Sequence, residues 1–91
     1  MKSLDDPQID AVLTDGKLWA VEVKKRNRKA SIKDLQKFER KGQSITANKL
    51  WFISESGFKA NAIAYAKKKG IMVSDKKGIK KLARVFGMQI Y

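Results

Sequence analysis

A mixed α/β domain with the element order ββαβαβα is predicted by three features of the 91-residue chain. Two short apolar runs, residues 9–13 (IDAVL) and 18–24 (LWAVEVK), flank a turn-forming stretch. An unbroken apolar run, Leu50-Trp51-Phe52-Ile53, sits in mid-chain. Between and after these runs, apolar residues recur at helical spacing in segments that close on glycines. At this length the chain supports one hydrophobic core and one domain.

Taken in order, the first two runs are rich in Val, Ile, Leu and Trp, and Thr14, Asp15, Gly16 and Lys17 punctuate them as an antiparallel hairpin. Residues 25–30 (KRNRKA) are too polar for a core strand. Ser31, with Asp34 three positions on, approximates a capping box and starts a helix over about residues 32–41. Ile32, Leu35 and Phe38 form its thin apolar stripe, and Gly42 stands where a C-terminal cap belongs. Residues 49–54 (KLWFIS) have the pattern of a strand covered on both faces, hence parallel and central. After a loop through Gly57, residues 58–69 read as a helix with Phe58, Ala62, Tyr65 and Ala66 on one side and Gly70 as its stop. Ser54 and Ser56 are read as caps for its start. Ile71, Met72 and Val73 make a brief strand, and Ile79, Leu82, Ala83 and Phe86 mark a last amphipathic helix. Residues 88–91 add an edge strand or fray. Trp19, Trp51, Phe52, Phe58 and Phe86 fall at packing positions rather than base-stacking ones.

Composition excludes several chemistries. With no Cys and no His, there are no disulfides, no Cys or His nucleophiles and no imidazole acid–base pair, so any metal must be held by oxygen. No run of 18 apolar residues and no signal-like N-terminus is present, which predicts a cytoplasmic protein that does not enter a membrane. The 21 Lys and Arg against 9 Asp and Glu give a net charge of +12, which points to a polyanion, nucleic acid first. The charge is uneven. Residues 1–23 carry five acids and two bases, and the remainder carries nineteen bases and four acids. Carboxylates repel a phosphate ligand, so acids gathered at one end of a basic chain call for a separate explanation. For Asp5, Asp6 and Asp15 that explanation is terminal or turn solvation, whereas Asp10 and Glu22 sit inside strand-like sequence.

Strand alternation puts Leu18, Ala20, Glu22 and Lys24 on one face and Trp19, Val21 and Val23 on the other. Turn parity decides whether Asp10 joins Glu22 and Lys24. An even loop pairs it with Val21, on the opposite face. An odd loop, such as a three-residue Thr14-Asp15-Gly16 turn with Gly in the left-handed position, pairs it with Ala20 or Glu22. In the odd case the two carboxylates can share a cation at oxygen distances of about 2.0–2.1 Å, as Mg²⁺ requires, with a lysine beside them for phosphate charge. Phosphodiester hydrolysis uses such a trio. A solvated Glu–Lys pair on an exposed face gives the same Glu22-x-Lys24 pattern.

Pro7-Gln8-Ile9-Asp10, eleven residues, then Glu22-Val23-Lys24 resembles the PD-(D/E)xK signature of the restriction-endonuclease-like nucleases. The sequence C-terminal to this signature, a helix and then residues 51–58 (WFISESGF) leading to Ala62 and on to Gly70-Ile71, is similar to the Mrr-like restriction nucleases and the archaeal Holliday-junction-resolvase-like branch. The likeness spans about residues 7–83. The resemblance implies a mixed sheet flanked by helices. It further implies Asp10, Glu22 and the backbone carbonyl of Val23 as metal ligands, Lys24 as catalytic lysine, and Mg²⁺ as cofactor with Mn²⁺ able to substitute. Family members usually place a helix and a strand before the Asp, and that helix often supplies another acid. Here nine residues precede Asp10. The expected domain thus lacks the N-terminal helix and first strand, as a piece of a longer chain or as a minimal domain completed by a homodimer.

Lys25, Arg26, Arg28 and Lys29 come directly after the signature, and Lys33 and Lys37 continue onto the next helix, so a DNA backbone can lie across a basic surface flanking the carboxylates. The predicted function is a metal-dependent endonuclease acting on branched or modified duplex DNA. The alternative is a basic nucleic-acid-binding domain with a degenerate or incomplete nuclease site. A ribosomal or RNA-chaperone protein suits the composition but leaves the paired acids unexplained.

Overall fold

The computed structural model describes residues 10–75, the first of them through its backbone. They form β1 (Asp10–Thr14), β2 (Lys17–Lys24), α1 (Ile32–Ser44), β3 (Lys49–Ser54), α2 (Ala60–Lys69) and β4 (Met72–Ser74). One sheet runs in the order β1-β2-β3-β4, with β1 antiparallel to β2 and the other neighbours parallel. This is the mixed α/β sheet that the sequence resemblance implies. The segments expected at 79–86 and 88–91, with Phe86, and the residues before Asp10 lie outside the described residues. No helix among the described residues is long and apolar enough to cross a membrane.

The hairpin differs from the three-residue loop that Gly16 also permits. Thr14 pairs with Lys17, leaving a two-residue turn in which Asp15 (φ 51°) and Gly16 (φ 72°) are both left-handed. That is the type I′ geometry whose twist matches the strands it joins. The loop is therefore even, and Asp10 pairs with Val21.

Helix α1 begins as expected, with the Ser31 backbone N–H donating to Asp34 Oδ2 at 2.8 Å and the Asp34 N–H donating to Ser31 Oγ at 3.4 Å. It ends later, at Ser44, so Gly42 is not its cap. Gly42 instead lies inside the helix against Leu50, where a Cβ would stand 2.3 Å from Leu50 Cδ2. Helix α2 starts at Ala60 behind Lys59, which makes no side-chain cap bond. Phe58 precedes the helix and forms an isolated parallel bridge with Ala30. Neither serine caps α2: Ser56 donates to the Arg26 carbonyl, and Ser54 is fully buried. Gly70 (φ 71°) closes the helix in the left-handed conformation, its N–H directed at the Ala66 and Lys67 carbonyls.

Because both β-α-β steps advance the same way across the sheet, crossovers of one hand place α1 and α2 on one face. The core agrees. Ala20 and Phe52 of the sheet join Leu35 and Phe38 of α1, Ala62 and Ala66 of α2, and Ile71 and Ala30. Phe52 meets Phe38 edge-on at 5.4 Å and Phe58 at 5.7 Å. Each fully buried ring contributes about 1.5–3 kcal/mol of transfer free energy. On the opposite face Val21, Trp51 and Ile53 form a second buried cluster with Trp19 and Val23 against it. Trp51 Nε1 donates to Ser74 Oγ at 3.0 Å. From Trp51 to Ser54, β3 is buried at every residue, as its apolar run predicts.

Candidate active site

The face that packs against the helices changes character toward the carboxyl ends of its strands. Ala20 and Phe52 are core, but the next residues of this parity are Glu22 and Lys24 on β2 and Ser54 on β3. The register pairs Glu22 with Phe52 and Lys24 with Ser54. Carboxyl ends of parallel strands are where α/β sheets place ligands, because the connections diverge there and leave a crevice.

Glu22 is only 3% exposed, and its Oε1 has no hydrogen-bond partner among the described residues. Burial pushes its pKa above the usual carboxylate value. Lys24, Lys41, Lys37 and Arg26, in that order, draw it back. Lys24 is half-buried, and burial holds its ammonium below the usual lysine value while Glu22 opposes that shift. Lys37 and Lys41 lie one turn apart on α1, so the helix brings a second pair of cations toward the carboxylate. The sequence places Lys33, Lys37, Arg40 and Lys41 together on this helix as a basic surface flanking the carboxylates.

Beyond Val21, β2 continues past the described part of β1. Successive residues of a strand direct their backbone groups to alternate sides. The Leu18 and Lys24 carbonyls accept from Asn48 (2.8 Å) and Glu55 (2.9 Å) on the β3 side. The Val23 carbonyl, of the other parity, therefore points toward the β1 side, where no strand lies beside it among the described residues. Asp10, the first residue of β1, has the register parity of Val21 rather than Glu22. Strand pairing brings Glu22 and Lys24 together and does not by itself bring Asp10 onto their face.

The basic loop after β2 is stitched down. Arg26 Nη2 lies 2.6 Å from Asp34 Oδ2, and Arg28 Nη1 lies 3.9 Å from the same oxygen. The Ala30 N–H donates to the Gly57 carbonyl at 2.9 Å, and the Lys59 N–H donates to the Ala30 carbonyl at 3.0 Å. Burial disfavours the charged form of Asp34. The Ser31 backbone bond, the Arg26 bond and charge, and the Ser31 hydroxyl outweigh it, holding the carboxyl below the usual range. Arg26 thus anchors the loop, while Lys25, Arg28, Lys29, Lys33 and Lys37 are exposed.

These donors suit a hard cation. A buried carboxylate oxygen with no hydrogen-bond partner among the described residues is an oxygen ligand of the kind Mg²⁺ takes, and Mg²⁺ is commonly held by one or two carboxylates with water completing its shell. No group of three or more acidic, His or Cys side chains that could hold a metal occurs among the described residues.

The restriction endonuclease family, in its Mrr catalytic-domain form, matches residues 1–83. No curated protein and no solved structure gives a significant match. The family match covers every strand and helix from β1 to β4 as well as the Asp10 and Glu22-Val23-Lys24 positions. This is a nuclease family, generally dependent on a divalent metal and acting on DNA. The chain belongs to the Mrr-type restriction endonuclease family of PD-(D/E)xK nucleases.

Proposed function

We propose that the protein is a divalent-metal-dependent endonuclease that cuts branched or modified duplex DNA. Asp10, Glu22 and the Val23 carbonyl hold Mg²⁺, with Mn²⁺ able to replace it, and Lys24 acts at the scissile phosphate. The observation carrying this reading is the buried Glu22 oxygen that lacks a hydrogen-bond partner among the described residues, amid four cationic side chains. Leaving a buried acceptor unpaired costs about 1–3 kcal/mol, a cost that a bound cation removes. When bound, such a cation polarises the phosphate and lowers the pKa of a coordinated water. Lys24 stabilises negative charge on the phosphate oxygens, and Lys25, Arg28, Lys29, Lys33 and Lys37 neutralise the flanking backbone. Lysine contacts of this kind register phosphate geometry rather than base identity, which favours selection by DNA structure over sequence.

One observation favours a second reading, a DNA-binding domain with an incomplete site: Asp10 stands at a Val21 position, away from the Glu22 parity. In that reading a second copy of the chain, or the remainder of a longer one, supplies the missing ligand. Mn²⁺ titration combined with cleavage of linear, flap and four-way-junction DNA separates the two. Binding that depends on Glu22, with cutting concentrated on branched substrates, supports the endonuclease. DNA binding without Mn²⁺ uptake supports the incomplete site.

A further inference from the structure

Ser54 is fully buried, yet its hydroxyl has no hydrogen-bond partner among the described residues, and the same is true of Glu22 Oε1. The two residues are related by the β2–β3 register. Ser54 pairs with Lys24, and Glu22 is two residues back on the same strand, so all three share the helix-covered face at the carboxyl end of the sheet. Diagonal neighbours on adjacent strands have Cα atoms on the order of 7–8 Å apart, with Cβ atoms somewhat closer. Two side-chain oxygens reaching inward from such positions can be spanned by one water, which bridges about 5–6 Å with two hydrogen bonds. Buried polar atoms left without protein partners are ordinarily satisfied by ordered water, and such a water needs two to four polar neighbours. Glu22 Oε1 and Ser54 Oγ provide two, and Lys24, in register with Ser54, stands on the same face. The Ser54 backbone is fixed independently, since the Gly57 N–H donates to its carbonyl at 3.0 Å and the Glu55 N–H donates to the Lys24 carbonyl at 2.9 Å.

We infer that Ser54 is a positioning residue of the Glu22–Lys24 site, its hydroxyl and the Glu22 carboxylate holding one buried water beside the Lys24 ammonium. The inference deepens the endonuclease reading and rests on the same site. The water fixes the rotamer of Glu22 and keeps the carboxylate directed toward the strand end, where a cation would be held. Nothing in the signature motif points to Ser54, because its place beside Lys24 depends on the parallel register of β3.

The test uses magnetisation transfer from water to the backbone amides of Ser54 and Glu55 in the metal-free protein, compared with Ser54→Ala and Ser54→Thr. A long-lived water signal in the wild type, lost in Ser54→Ala and kept in Ser54→Thr, is expected. Ser54→Ala should also lower Mn²⁺ affinity by about 10-fold, within the range of outer-shell partners, with Ser54→Thr restoring it and DNA affinity unmoved. Glu22→Gln, which keeps a side chain of the same size, serves as a second probe and should shorten the water's residence if Ser54→Thr does not fold. No water signal in the wild type, or a signal that persists in Ser54→Ala, overturns the inference. A shared water in a protein that takes up no metal and cuts no DNA upholds the inference and removes the endonuclease reading instead.

Discussion

Asp10 stands opposite Val21 across the β1–β2 ladder, one residue short of Glu22. Replacement by Asn leaves the backbone pairing intact, so Asp10→Asn should change folding stability by less than about 0.5 kcal/mol. In the endonuclease reading it should also reduce metal-dependent cleavage beyond the about 10–100-fold typical of losing an outer-shell partner. Chemical denaturation beside a cleavage assay checks both. Unchanged cleavage in a folded variant would remove Asp10 from the site.

Glu22 is expected to cost stability at neutral pH. Its folded pKa is raised by burial, so its contribution favours folding fully below the ordinary value of 4.5 and is lost as pH rises through the folded pKa. Glu22→Gln should therefore stabilise the metal-free protein at pH 7 and raise its Tm. Its stability should also vary less with pH above 4.5. Adding Mn²⁺ should raise the wild-type Tm and leave that of Glu22→Gln unmoved. Differential scanning calorimetry at several pH values reads each of these shifts.

Asp34 has the opposite sign. Its pKa is depressed, so its stabilisation is present above the ordinary value of 3.8 and is lost as pH falls through the folded pKa. Asp34→Ala removes the capping box and the Arg26 ion pair together and should cost about 1–2 kcal/mol at pH 7, with the difference shrinking in acid. It should also loosen the loop carrying Lys25, Arg28 and Lys29, which amide hydrogen exchange across residues 25–31 would detect.

Lys33 and Lys37 are exposed on α1, and Lys37 faces the Glu22 carboxylate electrostatically. Reversing both to Glu should weaken DNA binding about equally for all sequences and lower the slope of log affinity against log salt by about 2. Fluorescence anisotropy across a salt series measures it. A preserved slope would place the DNA elsewhere.

Much of this architecture is legible in the sequence because single residues report it. The run from Leu50 to Ile53 predicts a central strand, Ser31 and Asp34 predict the start of α1, and alternation along β2 predicts that Glu22 and Lys24 share a face. What the sequence leaves open or misplaces comes from residues with two structural uses. Gly16 suits either a three-residue loop or a type I′ turn, both of which the sequence allows, and the left-handed Asp15 beside it settles the choice. Gly42 has the position of a cap but serves close approach to Leu50, a contact invisible along the chain. Ser54 gains its place in the site only from the β2–β3 register.

The most direct test of the endonuclease reading is cleavage of labelled duplex, single-stranded, flap and four-way-junction DNA with Mg²⁺ or Mn²⁺, run beside Glu22→Gln at matched DNA occupancy. Metal-dependent cutting by the wild type, strongest on branched DNA and lost in Glu22→Gln, is the expected result. Equal cutting by both proteins, or tight binding with no cutting by either, would contradict it.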